Sequence, residues 1–221
     1  ALVGDVVLAA RSAYFYLPFM AKLGIVPDVG STWFYQRLLG TGRATALTFD
    51  ATGSASTALI YADVGQVQLT GTYSTHNQAI TIGQAGQTAT LLANTVFDSG
   101  TATTTVKGHV NGGAYTLDFN SPVNFSGTST VAAATVTFGK AVTAAGDLTV
   151  NGATVVNGGS VNAGTHTQTY NGTVTVGGLA IETTTFTGVA MTFGSTLDGT
   201  TRVVVADSGN TTYIGAIGSV A

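Results

Sequence analysis

The chain has 221 residues, no cysteine and a formal net charge of −3. Charged residues make up only 8% of it and hydrophobic residues 44%, which excludes a highly charged disordered chain and a basic nucleic-acid-binding surface. Without cysteine it forms neither disulfides nor a thiolate metal site. No run of about 18 apolar residues is present, so we expect no membrane-spanning helix.

The frequency of threonine divides the chain into two segments. Of its 40 threonines, 4 lie in residues 1–50 and 36 in residues 51–221. The first segment also holds 4 of the 7 lysines and arginines and the only tryptophan. This change in composition predicts a domain boundary that separates residues 1–48 from residues 49–221.

The first segment has the pattern of a short α/β unit. Its apolar residues occur in runs rather than in alternation. Residues 6–10 are predicted to form a strand, and residues 17–23 a helical turn that Pro18 begins. A helix is predicted over residues 33–39, where Gly40 is well placed to end it.

The second segment has the alternation of β-strands. Short stretches place threonine, asparagine or glutamine between valine, leucine, phenylalanine or tyrosine, so that one face is apolar and the other polar. The clearest predicted strands are residues 66–70, 115–119, 135–138, 147–150 and 173–176. Asn-Gly pairs occur at 111–112, 151–152, 157–158 and 171–172, and we expect these glycines to supply a positive φ in tight turns.

A loose repeat runs through the second segment. An aromatic residue with glycine within the next two positions recurs at Phe125, Phe138, Tyr170, Phe186, Phe193 and Tyr213. The intervals are irregular, which is typical of a solenoid whose coils carry turns of unequal length. The sequence therefore predicts a mainly β fold, a right-handed parallel β-helix with a short α/β N-terminal segment. An antiparallel β-sandwich is the alternative, because Asn-Gly turns also connect hairpins.

A family resemblance accompanies the first segment. The pieces AARSAYF at 9–15, KLGIVPDVGSTW at 22–33 and RLLG at 37–40 resemble the enoyl-CoA hydratase/isomerase (crotonase) family. That family binds an acyl-CoA thioester and stabilises its enolate with two backbone N–H groups. The resemblance implies that Asp28 stands where some family isomerases place a proton-carrying carboxylate. The family's other carboxylate position falls near Phe19 or Met20, neither of which is an acid.

The second segment resembles the repetitive stalks of filamentous haemagglutinins and autotransporter passengers. The resemblance rests on VTFGKAVT at 136–143, MTFGSTLDG at 191–199 and TTYIGAIG at 211–218. It implies a right-handed parallel β-helix with an adhesive or scaffolding role. Crotonases are cytosolic enzymes and such stalks are exported, so the two do not normally share a chain. Their combination here indicates a fusion or chimera, a truncated or misassembled reading frame, or a designed or computed sequence.

The candidate site residues are few and scattered. His76, His109 and His166 lack metal-ligand spacing, so we expect exposed polar histidines and no metal. The acids of the second segment stand singly. Rows such as Thr103-Thr104-Thr105 and Thr183-Thr184-Thr185 would array hydroxyls on a flat sheet, and that face is suited to carbohydrate, ice or another copy of the chain. The alternative is that threonine is simply a good exposed strand residue.

These observations favour a non-enzymatic β-repeat surface or structural module with no cofactor. Such an adhesin-like module would lie outside the cell or on the bacterial surface, and would bind a ligand on its threonine rows or self-associate through sheet edges. A crotonase-type hydratase or isomerase in the cytoplasm, with Asp28 as its catalytic residue, is one alternative. An artificial chimera without a selected function is the other.

Overall fold

The structure is a computed structural model that describes residues 58–60, 67–75, 77–178 and 183–218. These residues form nineteen β-strands and no helix. The strand, the helices and Asp28 predicted within residues 1–48, and the boundary at residue 48, lie outside the described residues.

One sheet has eight strands. From one edge to the other they are β1 (Ala58–Ile60), β3 (Ile80–Ile82), β5 (Thr104–Val106), β8 (Val123–Phe125), β10 (Val142–Ala144), β12 (Ser160–Asn162), β15 (Thr183–Gly188) and β18 (Arg202–Asp207). A second sheet has eleven strands. In chain order they are β2 (Val67–Ser74), β4 (Thr88–Asp98), β6 (His109–Asn111), β7 (Thr116–Phe119), β9 (Ser129–Phe138), β11 (Leu148–Val156), β13 (Gln168–Tyr170), β14 (Val174–Val176), β16 (Met191–Phe193), β17 (Leu197–Gly199) and β19 (Thr211–Tyr213).

Every pairing among these strands is parallel, and each strand pairs with its counterpart one coil away. The described residues therefore form a parallel β-solenoid, as the sequence predicts, and the antiparallel sandwich is wrong. Each complete coil supplies one strand to the eight-stranded sheet. It then crosses the eleven-stranded sheet in two consecutive segments, as one bent strand or as two short ones.

The coils differ in length. Aligned positions across the eight-stranded sheet are 19 to 25 residues apart, as shown by the column Ile80, Thr104, Val123, Val142, Val161, Phe186 and Val205. The shortest coils carry minimal turns, and the longer ones carry their extra residues between strands. Unequal turns are compatible with a continuous stack because each coil contacts only its neighbours.

Alternation decides which side chains fill the interior. In β9, Val131, Val136 and Phe138 are fully buried while the threonines between them are partly exposed. The same pattern confirms the strands predicted at 115–119, 147–150 and 173–176: each begins within one residue of the prediction, although the strand predicted at 147–150 continues to Val156. Valine, threonine and aromatic residues suit this half-buried pleated surface.

Aromatic rings stack along the interior in two columns. The first runs through Tyr73, Phe97, Phe119 and Phe138, with ring centroids 5.1, 5.7 and 5.9 Å apart and nearly parallel planes. The second runs through Tyr170, Phe193 and Tyr213 at 5.4 and 5.3 Å. Phe125 and Phe186 meet these columns edge-on from the other sheet. Offset stacking and edge contacts are the favoured aromatic geometries, so they add to the stabilisation from burial.

The glycines of the Asn-Gly pairs do not, as a group, have the positive φ that the sequence predicts. Of the glycines at 112, 152, 158 and 172, only Gly152 has a positive φ, of 139°. At Gly172 a Cβ would collide with the backbone of Gly152 in the neighbouring coil. These glycines do not form hairpin turns, since no hairpin exists in the described residues. Gly172 is required because two stacked backbones approach closely there.

Candidate functional site

A parallel solenoid places each outward side chain beside its equivalent on the next coil, roughly 4.8 Å away. On the first segment of the eleven-stranded sheet this repetition produces an unbroken column of threonines. We call it the threonine ladder: Thr130, Thr149, Thr169, Thr192 and Thr212. Its five rungs lie on five successive coils, in β9, β11, β13, β16 and β19.

The threonine ladder is available to a ligand. Four of its side chains are half-buried between their neighbours, and Thr212 is exposed. None of the five hydroxyls has a hydrogen-bond partner among the described residues. Each hydroxyl offers one donor and two acceptor sites, so the column can exchange hydrogen bonds with water or with a bound molecule at regular spacing.

Histidine occupies the next rung toward the N-terminus. His109 stands in the column that continues to Thr130, and its Nδ1 accepts a hydrogen bond from the Thr130 N–H at 3.0 Å. The bond requires an unprotonated Nδ1, so Nε2 carries the proton in the neutral ring. His109 is half-buried, which corrects the prediction that it is simply an exposed polar residue. His166 is also half-buried, and His76 lies outside the described residues.

The eight-stranded sheet presents a second polar column, which we call the amide ladder. It consists of Thr81, Thr105, Asn124, Thr143, Asn162 and Thr187. Here the side chains bond to one another and to the turns: the Thr143 hydroxyl donates to Asn124 Oδ1 at 3.0 Å, and Asn162 Oδ1 accepts from the Gly164 N–H at 2.8 Å. Part of its hydrogen-bonding capacity is therefore already used.

The third face is irregular. Its outward column reads Thr72, Val96, Asp118, Thr137, Val155, Thr175 and Asp198. The two carboxylates stand several coils apart, and valines interrupt the hydroxyls. This face has neither the continuity of the threonine ladder nor a cluster of ligating groups.

The threonine triplets at 103–105 and 183–185, predicted to array hydroxyls on one face, do not all point outward. Thr104 and Thr184 are fully buried, because alternation turns the middle residue of each triplet inward. The Thr104 hydroxyl lies 3.1 Å from both Ser99 Oγ and Ser121 Oγ. Thr184 lies 3.3 Å from Thr201 Oγ1. Outward hydroxyl arrays therefore come from single threonines on successive coils, and the buried hydroxyls satisfy one another.

A buried polar pair stabilises the column that bears the second aromatic stack. The Tyr170 hydroxyl donates to Gln168 Oε1 at 2.7 Å, while Gln168 Nε2 donates to the carbonyls of Thr187 and Val161. Burial raises the pKa of Tyr170 far above its usual range, so the phenol stays neutral and acts as a donor. The pair fixes the strand that carries Thr169, the central rung of the threonine ladder.

Neither the threonine ladder nor the amide ladder contains a charged side chain. Lys107, Lys140 and Asp147 lie in the connections between strands. The Thr167 N–H donates to Asp147 Oδ1 at 2.9 Å, and this hydrogen bond lowers the pKa of the Asp147 carboxyl. The carboxylate is thus ionised at neutral pH and holds the turn that leads into β13. A face of neutral hydroxyls suits a neutral ligand, because neither partner loses a solvated charge on binding.

The remaining predictions concern catalytic and metal sites. Among the described residues, no group of three or more histidines and acids is placed to hold a metal ion. None of the described segments contains a helix long and apolar enough to cross a membrane. Asp28 lies outside the described residues, so its catalytic role stays a prediction.

Comparison with known proteins supports the mixed character of the chain. It is 53% identical over 47 residues to 1,2-epoxyphenylacetyl-CoA isomerase of Escherichia coli (strain K12), covering 21% of this chain and 18% of that protein. It is 43% identical over 51 residues to a probable enoyl-CoA hydratase of Rhodobacter capsulatus, covering 23% of this chain and 20% of that protein. The chain thus spans about a fifth of the length of these curated relatives, which confirms a short crotonase-like resemblance.

A further match involves part of the solenoid. Residues 36–90 match a family described as a domain of unknown function (DUF6701), first Ig-like domain. The described residues in this range form β1, β2, β3 and the start of β4, which pair only in parallel, whereas Ig-like domains are antiparallel sandwiches. The parallel register of these strands therefore differs from the fold that the family description implies. No solved structure matches the chain.

The fold and the matches fit a structural β-solenoid module in a chain that also carries a short crotonase-like resemblance. The best candidate for a functional surface in the described residues is the threonine ladder.

Proposed function

We propose that the solenoid is a stalk module, displayed outside the cell or on a bacterial surface, whose threonine ladder binds a neutral polysaccharide. The observation that carries this proposal is the in-register column of five unpartnered hydroxyls on successive coils. A polymer with regularly repeating hydroxyls can engage several rungs at once. Weak single contacts then add up to useful avidity without a deep pocket.

The stalk role is supported by the continuous backbone pairing. Both sheets run without interruption from the first described coil to the last, so the module resists bending and keeps its length. Its low charge and lack of cysteine suit a passive spacer. The backbone pairing and the threonine ladder have different roles: the paired sheets set the length of the stalk, and the threonine ladder contacts the polysaccharide.

Removing hydroxyls from the threonine ladder tests whether it binds a neutral polysaccharide. We expect Thr149→Val with Thr169→Val to lower retention on an insoluble β-1,4-glucan at least tenfold, because valine keeps the shape and β-propensity of threonine but cannot hydrogen-bond. The measurement is a depletion binding isotherm with the full chain at two salt concentrations. Binding is expected to be insensitive to salt, because no charge takes part.

The matched control changes the same residue type on another face. Thr137→Val with Thr175→Val, on the irregular face, is expected to leave retention unchanged. Equal losses in both double variants, or no retention of the wild-type chain on any neutral polysaccharide, would disprove binding through the threonine ladder. Retention on heparin alone would point to a charged ligand instead.

A second candidate function follows from the short resemblance to acyl-CoA enzymes. In it the N-terminal segment contributes to hydratase or isomerase chemistry on an acyl-CoA thioester, with Asp28 carrying a proton. The full chain would then change the absorbance of a conjugated enoyl-CoA thioester, and Asp28→Asn would abolish the change. Absence of turnover in the wild-type chain would eliminate this candidate.

A further inference from the structure

Two asparagines lie beside the middle of the threonine ladder. Asn151 follows the rung Thr149 by two residues, and Asn171 follows the rung Thr169 by two residues. Side chains two residues apart in extended backbone lie on the same face, so each asparagine is roughly 7 Å from its rung. Both asparagine side chains are exposed. We call Asn151 and Asn171 the asparagine pair.

The backbone holds the asparagine pair in register. The Asn171 N–H donates to the Val150 carbonyl at 3.0 Å, which continues the pairing of β13 with β11. Directly after the pair, Gly172 stacks so closely on Gly152 that a Cβ at Gly172 would collide with the Gly152 carbonyl oxygen. The side chains are joined as well, since Asn171 Nδ2 donates to Asn151 Oδ1 at 2.6 Å. The two amides are therefore fixed relative to each other before a ligand binds.

The hydrogen bond within the asparagine pair leaves hydrogen-bonding groups of both kinds available. Asn151 Nδ2 has two N–H donors, and Asn171 Oδ1 has two acceptor lone pairs. Neither atom has a hydrogen-bond partner among the described residues. The pair thus offers donors on one coil and an acceptor on the next coil, separated by one strand spacing of roughly 4.8 Å.

Small residues flank the asparagine pair in its own column. On the adjoining coils, Ala132 lies beside Asn151 and Gly194 lies beside Asn171. The two amides therefore project beyond the residues on either side, and a ligand reaches them without displacing another side chain. Asn111 lies in the same column, but Ala132 separates it from the pair. Coupled amides are thus present at one place beside the threonine ladder.

We propose that the asparagine pair selects a polysaccharide built from N-acetylated amino sugars. This inference rests on the proposed binding of a neutral polysaccharide by the threonine ladder, and it names the class of sugar. An acetamido group has one C=O acceptor and one N–H donor in a planar amide. The C=O accepts a hydrogen bond from Asn151 Nδ2, and the N–H donates to Asn171 Oδ1. The ring hydroxyls of the same polymer bind Thr149 and Thr169.

The position and charge of the asparagine pair suit this class of sugar. An acetamido group projects sideways from a pyranose chain, so it meets the column beside the threonine ladder when the chain runs along the solenoid axis. A glucose polymer has only a short hydroxyl at that place. The acetamido group and the pair are both neutral, so no solvated charge is lost on binding. Because water solvates the exposed amides in the free protein, the gain in affinity equals only the modest net contribution of one or two hydrogen bonds.

Two insoluble β-1,4-linked polymers test this selection, because each ring has an acetamido group at C2 in chitin and a hydroxyl at C2 in cellulose. Depletion isotherms with the full chain give a dissociation constant for each polymer. We expect the wild-type chain to bind chitin about tenfold more tightly than cellulose. Asn151→Ala with Asn171→Ala should abolish this preference and leave binding to cellulose unchanged. Alanine already occupies the same column at Ala132, so we expect this variant to fold, and circular dichroism checks that it does.

The matched control is Asn111→Ala with Asn120→Ala, since both asparagines are exposed and neither bonds to another asparagine among the described residues. This variant should keep the preference for chitin.

A measurement on the wild-type chain needs no variant. Soluble N-acetylated oligomers should displace it from chitin at about a tenfold lower concentration than the matching glucose oligomers. Equal affinity for the two polymers, or a preference that survives loss of the asparagine pair, would overturn the selection of N-acetylated sugars but not the threonine ladder. Retention on neither polymer would overturn the proposed function itself, and the selection with it.

Discussion

Replacing Phe119 with alanine is expected to lower the free energy of unfolding by about 3–5 kcal/mol. The side chain is fully buried and stacks between Phe97 and Phe138, with centroid distances of 5.7 and 5.9 Å. Phe125 meets its edge at 6.2 Å from the opposite sheet. Truncation removes three aromatic contacts and leaves a cavity in a rigid stack that cannot close it. The urea midpoint, with the slope of the transition, measures the loss.

Tyr115 supplies the matched control for this prediction. It is an aromatic residue of the same coil, but it is 40% exposed. Tyr115→Ala is expected to change the unfolding free energy by about 1 kcal/mol or less. A Phe119→Ala loss no larger than the Tyr115→Ala loss would show that the aromatic column is not the core of the solenoid.

Gly152→Ala is expected to destabilise the fold by about 2–5 kcal/mol, the combined cost of backbone strain and overpacking. Gly152 has a φ of 139°, and a Cβ there would collide with the carbonyl oxygen of Ala133. The residue sits where the register of β11 against β9 shifts between Asn151 and Ala153, a bulge that turns the strand from one segment to the next. Thermal unfolding followed by circular dichroism reports the change.

Gly127→Ala is the control, because Gly127 has an ordinary φ and its Cβ would meet no atom within 4 Å. We expect that variant to unfold within a few degrees of wild type. If Gly152→Ala were equally stable, the tight corner between the two segments of β11 would not exist in solution.

Strand positions could be predicted from the sequence because alternation acts within a single strand. Val136 and Phe138 are buried while Thr137 is not, and this period of two is visible in the letters alone. The parallel solenoid was also predictable, since short alternating stretches recur with glycine and asparagine between them.

The true repeat was hidden because the aromatic markers mix different faces. Phe125 and Phe138 belong to one coil and lie on opposite sheets, whereas Tyr170, Phe193 and Tyr213 form one column. Counting them as one series gave irregular intervals. Aligning valines of a single face would have recovered the period, since Val123, Val142 and Val161 are each 19 residues apart.

The candidate site was only partly predictable for a similar reason. Threonine triplets attract attention in the sequence, yet alternation buries Thr104 and Thr184. The threonine ladder consists of isolated threonines such as Thr149 and Thr192, whose alignment depends on coil lengths. The register between residues on different coils could not be predicted from the sequence alone.

Cross-linking between neighbouring coils tests the parallel register most directly, because the chain has no cysteine of its own. Thr149 and Thr169 are paired in register on adjacent strands, within the Cα separation of about 4.4–6.8 Å that a disulfide requires. The account predicts that Thr149→Cys with Thr169→Cys forms an intramolecular disulfide under mild oxidation, while Thr149→Cys with Thr192→Cys, two coils apart, does not. Efficient bridging of the second pair and none of the first would contradict the solenoid.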